Sequence, residues 1–127
     1  MGNTATLYAQ CFKMNVKEKA LAAVKSSFEK TGVSRPYEVS KIVEASTFDE
    51  VAEYLGWGVI LQNPTNPTSP ISGIEFLDEK IHEEVATQFF KAIEGFVAIG
   101  CFVYVRLDSG VFFNWDFEEN GVVFSEN

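Results

Sequence analysis

The fold is decided by residues 101–124, whose sequence is CFVYVRLDSGVFFNWDFEENGVVF. Apolar residues alternate here with aromatic or polar ones, which is the side-chain period of a β-strand. Residues 108–110 and 120–121 interrupt the alternation with Asp, Ser, Asn and Gly, which are typical of tight turns. The pattern predicts three antiparallel strands, a β-meander, with one fully apolar face around Trp115.

The lengths of the two turns predict how these strands pair. A three-residue loop at 108–110 and a two-residue turn at 120–121 fix the register, and the second turn places Phe117 opposite Phe124. The face opposite Trp115, which we call the second face, is then half aromatic and half polar. Its predicted residues are Phe102, Tyr104, Arg106, Phe112, Asn114 and Asp116.

The segments before residue 101 carry alternating strand and helix signals. Strands are predicted at 4–14, 37–45, 57–61 and 73–77, and helices between 15 and 32, between 47 and 56, and from 82 to 94. With the meander, this gives the order β-α-β-α-β-β-α-β-β-β. We therefore predict a single α+β domain over residues 1–127, with a largely antiparallel sheet and about three helices packed on one of its faces.

Two of the predicted helices begin with a capping-box pattern. Asn15 is followed three residues later by Glu18, and Thr47 by Glu50. In such a box the first side chain accepts a hydrogen bond from the third backbone amide, and the acidic side chain reaches back. We expect Asn15 and Thr47 to be the N-caps.

One segment, residues 63–70, has the sequence NPTNPTSP and carries a proline at every third position. This spacing favours an extended polyproline-II conformation and prevents regular strand pairing. The basic and apolar neighbours of a good SH3 ligand are missing, so we expect an exposed loop.

Charge is distributed unevenly along the chain. The net charge is −8, but residues 1–45 carry +3 and residues 46–127 carry −11. An acidic surface repels a phosphate backbone and attracts basic partners. We therefore expect no nucleic-acid partner, and favour a protein partner with a basic surface.

No targeting or membrane segment is visible in the sequence. The start of the chain lacks a basic segment followed by an apolar run, and no stretch has the length of a membrane span. We expect a cytoplasmic protein with no membrane partner. In that compartment, Cys11 and Cys101 are expected to stay reduced and buried as small apolar residues.

Candidates for catalysis and metal binding are few. The single histidine, His82, follows Glu79 and precedes Glu83 and Glu84, which is typical of a solvated helix start. A Cys-His site would require the fold to bring a cysteine to His82. No spacing of metal ligands and no phosphate-binding loop is present, so we predict no metal site, no cofactor and no catalytic residue.

The pattern favours a small, acidic, non-enzymatic interaction module, such as an inhibitor, an immunity protein or a counter-defence protein. The closing strand pattern is similar to that of small bacterial and phage-borne proteins, a resemblance that implies no activity. Aromatic residues and arginine dominate protein interfaces, and acidic residues would support binding to a basic partner. The predicted interface residues are Tyr104, Arg106, Phe112, Asn114, Asp116, Glu118 and Glu119.

Two alternatives remain open from the sequence. One is a small-molecule-binding or catalytic α+β domain, with a pocket near Trp57, the proline-rich loop and His82. The other is an oligomerisation module that pairs through a sheet edge or the second face, so both a monomer and a homodimer are considered.

Overall fold

The structure is a computed structural model that describes residues 3–127. Met1 and Gly2 lie outside that range, and the predicted absence of a signal peptide rests partly on them. The strands are β1 (Asn3–Cys11), β2 (Trp57–Leu61), β3 (Ile71–Phe76), β4 (Lys80–Ile81), β5 (Phe102–Leu107), β6 (Phe112–Glu118) and β7 (Gly121–Glu126). The helices are α1 (Lys17–Thr31), α2 (Val39–Val43), α3 (Phe48–Tyr54) and α4 (Glu83–Ile93). Within the described residues, no helix combines the length and apolarity that crossing a bilayer requires.

The strands form one curled antiparallel sheet and one separate hairpin. The five-stranded sheet has the order β4-β1-β5-β6-β7, and β2 pairs with β3. Strands β5, β6 and β7 are consecutive neighbours, which confirms the C-terminal meander. The α+β class and the largely antiparallel sheet are likewise confirmed.

The register of the first hairpin is the predicted one, because Phe102, Tyr104 and Arg106 of β5 pair with Asp116, Asn114 and Phe112 of β6. The register of the second hairpin is shifted by two residues from the predicted one. Glu118 pairs with Gly121, so the turn is formed by residues 119–120, and Phe117 faces Val122 instead of Phe124. Because the shift is even, every side chain stays on its predicted face.

The Trp115 face carries the core. Trp115 has no exposed surface, and its indole Nε1–H donates a 2.9 Å hydrogen bond to Thr87 of α4. Phe90, also on α4, packs against Trp115 at a ring separation of 5.3 Å and against Trp57 at 5.1 Å. Helix α1 buries Ala20, Val24 and Phe28 and packs mainly against α4 and α2. The helical layer therefore lies on the apolar side of the meander.

The predicted secondary structure is wrong for one segment. Residues 37–45, expected as a strand, contain the short helix α2. The prediction rests on Pro36, which prevents a preceding helix from continuing, and on the strand preference of the residues after it, which is a weak and context-dependent signal. In the fold, Ile42 is fully buried and α2 packs between α1 and α3, so burial decides the conformation.

The two predicted capping boxes have different outcomes. Thr47 Oγ1 accepts from the Glu50 amide at 3.1 Å, while the Glu50 carboxylate accepts from the Ser46 amide at 2.7 Å. At α1, in contrast, the N-cap is Val16 in a left-handed conformation with φ 50°, and no side chain caps the helix. The predicted box at Asn15 is therefore wrong.

The proline-rich segment consists of consecutive turns, not a polyproline-II stretch. The Oδ1 atoms of Asn63 and Asn66 accept hydrogen bonds from the amides of Thr65 and Thr68. Such local Asx turns are what Asn-Pro-Thr favours, because the Asn side chain replaces a backbone acceptor. The segment is exposed apart from Ser69, as expected for a loop.

Gly121 offers a test of the second hairpin. Its φ is 116°, and a Cβ there would lie 2.8 Å from the Glu94 carboxylate, which itself accepts from the Val122 amide at 3.0 Å. We expect Gly121→Ala to cost about 1–2 kcal/mol for the backbone conformation and about 1 kcal/mol more for displacing Glu94 from its hydrogen bond.

Gly110→Ala is the matched control, because Gly110 also has a positive φ, 91°, but a methyl group added there would meet nothing within 4 Å. Urea unfolding of both variants measures the difference. Equal destabilisation would contradict the role given to Glu94.

Candidate interaction surface

The second face of the sheet is accessible to solvent. Arg106 is exposed, whereas Phe102, Tyr104, Phe112, Asn114 and Asp116 are partly exposed. α4 packs on the opposite, Trp115 side. The structure thus brings five of the predicted interface residues together on one surface: Tyr104, Arg106, Phe112, Asn114 and Asp116.

Strand β1 adds to this face a residue that the sequence analysis missed. Tyr8 is 66% exposed and packs edge-on against Phe112, with the ring centroids 4.9 Å apart. It lies where the β1–β5 register shifts between Leu7 and Ala9. A bulge interrupts the strand alternation and re-aims a side chain, so the position of Tyr8 required the structure.

The aromatic groups of the second face form two pairs. Besides Tyr8 and Phe112, the rings of Phe102 and Tyr104 lie 4.7 Å apart. Phe102 was expected on this face but was not among the predicted interface residues. The face therefore offers four partly or largely exposed aromatic rings within one sheet.

A hydrogen bond orders the centre of the face. The Tyr104 hydroxyl donates to Asp116 Oδ1 at 2.7 Å across the β5–β6 pair. This hydrogen bond, together with some burial and the negative charge of Asp116, raises the pKa of Tyr104 above its usual value. Tyr104 therefore presents a neutral hydroxyl and a fixed ring at neutral pH.

Acidic residues flank the face at both ends of the first hairpin. Asp108 lies in the β5–β6 turn, and the exposed Glu118 and Glu119 lie at the opposite end of β6. Residues 101–127 contain Arg106 as their only basic residue, against five acidic ones. The predicted supporting role of Glu118 and Glu119 is geometrically feasible, because they adjoin the strand that carries Asp116.

Basic residues concentrate in the helical layer. Helix α1 contains Lys17, Lys19, Lys25 and Lys30, and α2 contains Lys41. Lys17 is engaged, because its Nζ lies 3.4 Å from Asp49 and donates to the Pro67 carbonyl at 2.7 Å. The other two helices are acidic, with Asp49, Glu50 and Glu53 in α3 and Glu83 and Glu84 in α4, so the excess of basic residues is confined to α1 and α2.

The alternative pocket predicted from the sequence is not assembled as expected. Trp57 is 1% exposed and belongs to the aromatic core, so its side chain cannot line a surface pocket. His82 instead lines a cleft of about 530 Å³, together with Ser34, Arg35, Glu83, Ser109 and Glu126. The proline-rich loop lines a different groove with Val16 and Phe48.

The cleft at His82 has polar groups but no assembled catalytic unit. The His82 ring packs edge-on against Tyr37 at 5.5 Å, and within residues 3–127 its nitrogens form no side-chain hydrogen bond. Burial, followed by the charge of Asp78, raises the pKa of Tyr37 to about 12. His82, Ser34 and Ser109 border one space without being joined by hydrogen bonds in the described chain.

A Cys-His pair is excluded by distance along the sheet. Leu107, which lines the His82 cleft, is at the end of β5, whereas Cys101 precedes its start. Six residues of strand separate them by about 20 Å. In the part of the chain that the structure describes, no group of three His, Cys, Asp or Glu residues is placed to hold a metal ion.

Comparison with known proteins identifies no relative. Searches with the chain find no matching protein-family model, no matching curated protein and no matching solved structure.

The Tyr104–Asp116 hydrogen bond predicts how the stability of the protein depends on pH. Because the pKa of Tyr104 is raised in the folded state, its contribution to stability is complete below pH 10 and is lost as the pH rises through the higher, folded value. Asp116→Ala removes the hydrogen-bond acceptor, which is the largest influence on this pKa, together with the charge, so the pKa of Tyr104 should fall towards that of an ordinary tyrosine.

Absorbance titration at alkaline pH measures this change, and Tyr104→Phe identifies the Tyr104 signal by subtraction. The control is Ser125→Ala on the neighbouring strand, which leaves the Tyr104–Asp116 hydrogen bond untouched. Asn114→Asp is not a suitable control, because it adds a charge. An unchanged Tyr104 titration in Asp116→Ala would show that the pair does not persist in solution.

Proposed function

We propose that this protein is a non-enzymatic interaction module that binds a basic surface of a protein partner through the second face of its sheet. The observation that carries the proposal is the exposure of Tyr8, Tyr104 and Phe112 together on a sheet face that α4 leaves free. Inhibitors, immunity proteins and counter-defence proteins of cytoplasmic systems act by this kind of binding, and they are the functional class that we propose.

The composition of the second face supports a protein partner. Tyrosine and arginine are enriched among residues that contribute most to binding, since they bury a large area with few rotatable bonds. Arg106 is exposed beside Phe112, its cross-strand partner. Asn114 and Asp116 supply acceptors between the rings, as in interfaces where polar groups fix the orientation of apolar contacts.

The charge supports a basic surface on that partner. Asp108, Glu118 and Glu119 surround the face at both ends of the β5–β6 hairpin. Acidic residues at the rim of an interface accelerate association with a basic partner and select against acidic ones. The same charges oppose binding to a nucleic acid, because only Arg106 could contact a phosphate within residues 101–127.

A charge-reversal experiment tests the proposal. Glu118→Lys/Glu119→Lys should slow association with the captured partner by roughly tenfold or more at low salt, and flatten the salt dependence. Glu44→Lys/Glu53→Lys is the matched control, because both residues lie in the helical layer and change the net charge equally.

The measurement uses the immobilised chain to capture a partner from cells, followed by kinetics with the purified partner. Tyr104→Ala and Phe112→Ala should each accelerate dissociation, since they remove apolar contact without changing charge. A partner that binds Glu118→Lys/Glu119→Lys, Tyr104→Ala and Phe112→Ala as it binds the native protein, at low and high salt, would refute the proposed surface.

The cleft at His82 supports a second candidate function, binding or conversion of a small molecule. Its volume of about 530 Å³ is within the range of ligand pockets. Arg35 and His82 can donate hydrogen bonds to a ligand, and Glu83, Glu84 and Glu126 can accept them, so a ligand there would carry both kinds of group. A ligand that raises the melting temperature of the native protein, but not of Arg35→Ala/His82→Ala, would favour this function. Equal shifts in both proteins would reject the cleft as its site.

A further inference from the structure

The two cysteines of the chain meet at one end of the sheet. Cys11 and Cys101 are 90 residues apart in sequence, yet their Sγ atoms lie 3.9 Å from each other, and both are free thiols. Cys11 is the last residue of β1 and pairs with Phe102, the residue that follows Cys101. The β1–β5 ladder therefore holds the two sulfur atoms next to each other.

We propose that Cys11 and Cys101 are a reversible oxidation site, which a hydroperoxide converts into an intramolecular disulfide. A disulfide has an S–S distance of about 2.0 Å, so the sulfur atoms must approach by about 2 Å. The backbone of Cys101 is held in place, because its amide donates to the Ala98 carbonyl at 3.2 Å and its carbonyl accepts from the Phe117 amide at 2.9 Å. The approach of the sulfur atoms therefore comes from rotation of the two side chains about their Cα–Cβ bonds. The inference does not depend on the proposed function.

The surroundings give the two thiols different roles. Cys11 is partly exposed and can meet a small oxidant, whereas Cys101 is 3% exposed. Burial, the largest influence, raises the pKa of the Cys101 thiol, although a hydrogen bond from the Lys13 backbone opposes it. Cys101 is therefore the resolving thiol, protected from direct oxidation until Cys11 has reacted.

The chemistry needs one equivalent of hydrogen peroxide. The Cys11 thiolate attacks one peroxide oxygen, the O–O bond breaks, and the products are a Cys11 sulfenic acid and hydroxide. Cys101 then loses its proton and attacks the Cys11 sulfur, the S–O bond breaks, and the hydroxyl leaves with that proton as water. In total, two thiols and one peroxide give one disulfide and two waters. A dithiol reductant restores both thiols by exchange.

Closure would join distant parts of the chain. A loop of about 90 residues loses much of its freedom in the unfolded state when its ends are linked. For a domain of this length we expect the melting temperature to rise by on the order of 10 °C on oxidation. The rise should disappear after treatment with dithiothreitol.

The decisive experiment treats the native protein with one to a few equivalents of hydrogen peroxide, followed by alkylation and intact mass spectrometry. We expect a monomer that has lost two hydrogen atoms, resists alkylation and contains a Cys11–Cys101 linked peptide. Cys101→Ser should instead accumulate a sulfenic acid at Cys11 that reacts with dimedone. Cys11→Ser should leave Cys101 reduced, because the buried thiol is not reached.

Other products would overturn the proposal. They include two intact thiols in the treated native protein, sulfinic or sulfonic acid at Cys11 without a linkage, and disulfide-linked dimers alone. A linkage that forms only in urea would do the same, because the folded geometry would then have no part in it. Circular dichroism of both serine variants checks that they are folded, and Cys→Ala variants replace any that are not.

Discussion

The burial of one face of the meander constrains everything else in this molecule. Trp115 is fully buried against Phe90, Trp57 and Phe124, and its only polar side-chain atom donates a hydrogen bond to Thr87. Because side chains alternate along a strand, fixing Trp115 inward fixes Asn114 and Asp116 outward. The second face thus owes its exposure to the same packing that stabilises the core.

The helical layer and the meander differ in what they bury and in the charges they carry. The helical layer buries the apolar face and carries most of the lysines, so the positive charge of the first 45 residues lies away from the second face. The meander carries the aromatic rings and the acidic turns. The acidic turns of the meander therefore attract positive charge, whereas α1, with four lysines against two glutamates, repels it.

Local patterns predicted the parts of the fold that depend on local interactions. The alternation in β5 and β6 fixed their faces, and the Thr47 cap formed because its partners are within four residues. The Asn-Gly signal predicted a two-residue turn at 120–121, whereas the two-residue turn lies at 119–120. Gly121 follows the turn instead, where a positive φ favours glycine and a Cβ would have to displace the carboxylate of Glu94, which lies in a distant part of the sequence, at the end of α4.

Long-range contacts explain the remaining differences, in the fold and in the candidate site. Helix α2 forms because Ile42 is buried between α1 and α3, against the strand preference of its residues. Tyr8 joins the second face through a β-bulge, which leaves no signal in the alternation of residues 4–14. The proximity of Cys11 to Cys101 follows from the β1–β5 pairing, and a single sequence gives no indication of which strands are neighbours.

The β7 edge of the sheet is partly blocked against pairing with another strand. β7 is an edge strand, and such strands invite pairing with another chain through free amides and carbonyls. The Val122 amide, which faces away from β6, is already bonded to Glu94. An incoming strand would have to displace this carboxylate and then lie beside its charge. The second face presents no such obstacle, because Tyr104 and Asp116 satisfy each other within the sheet and its rings are accessible without breaking a hydrogen bond.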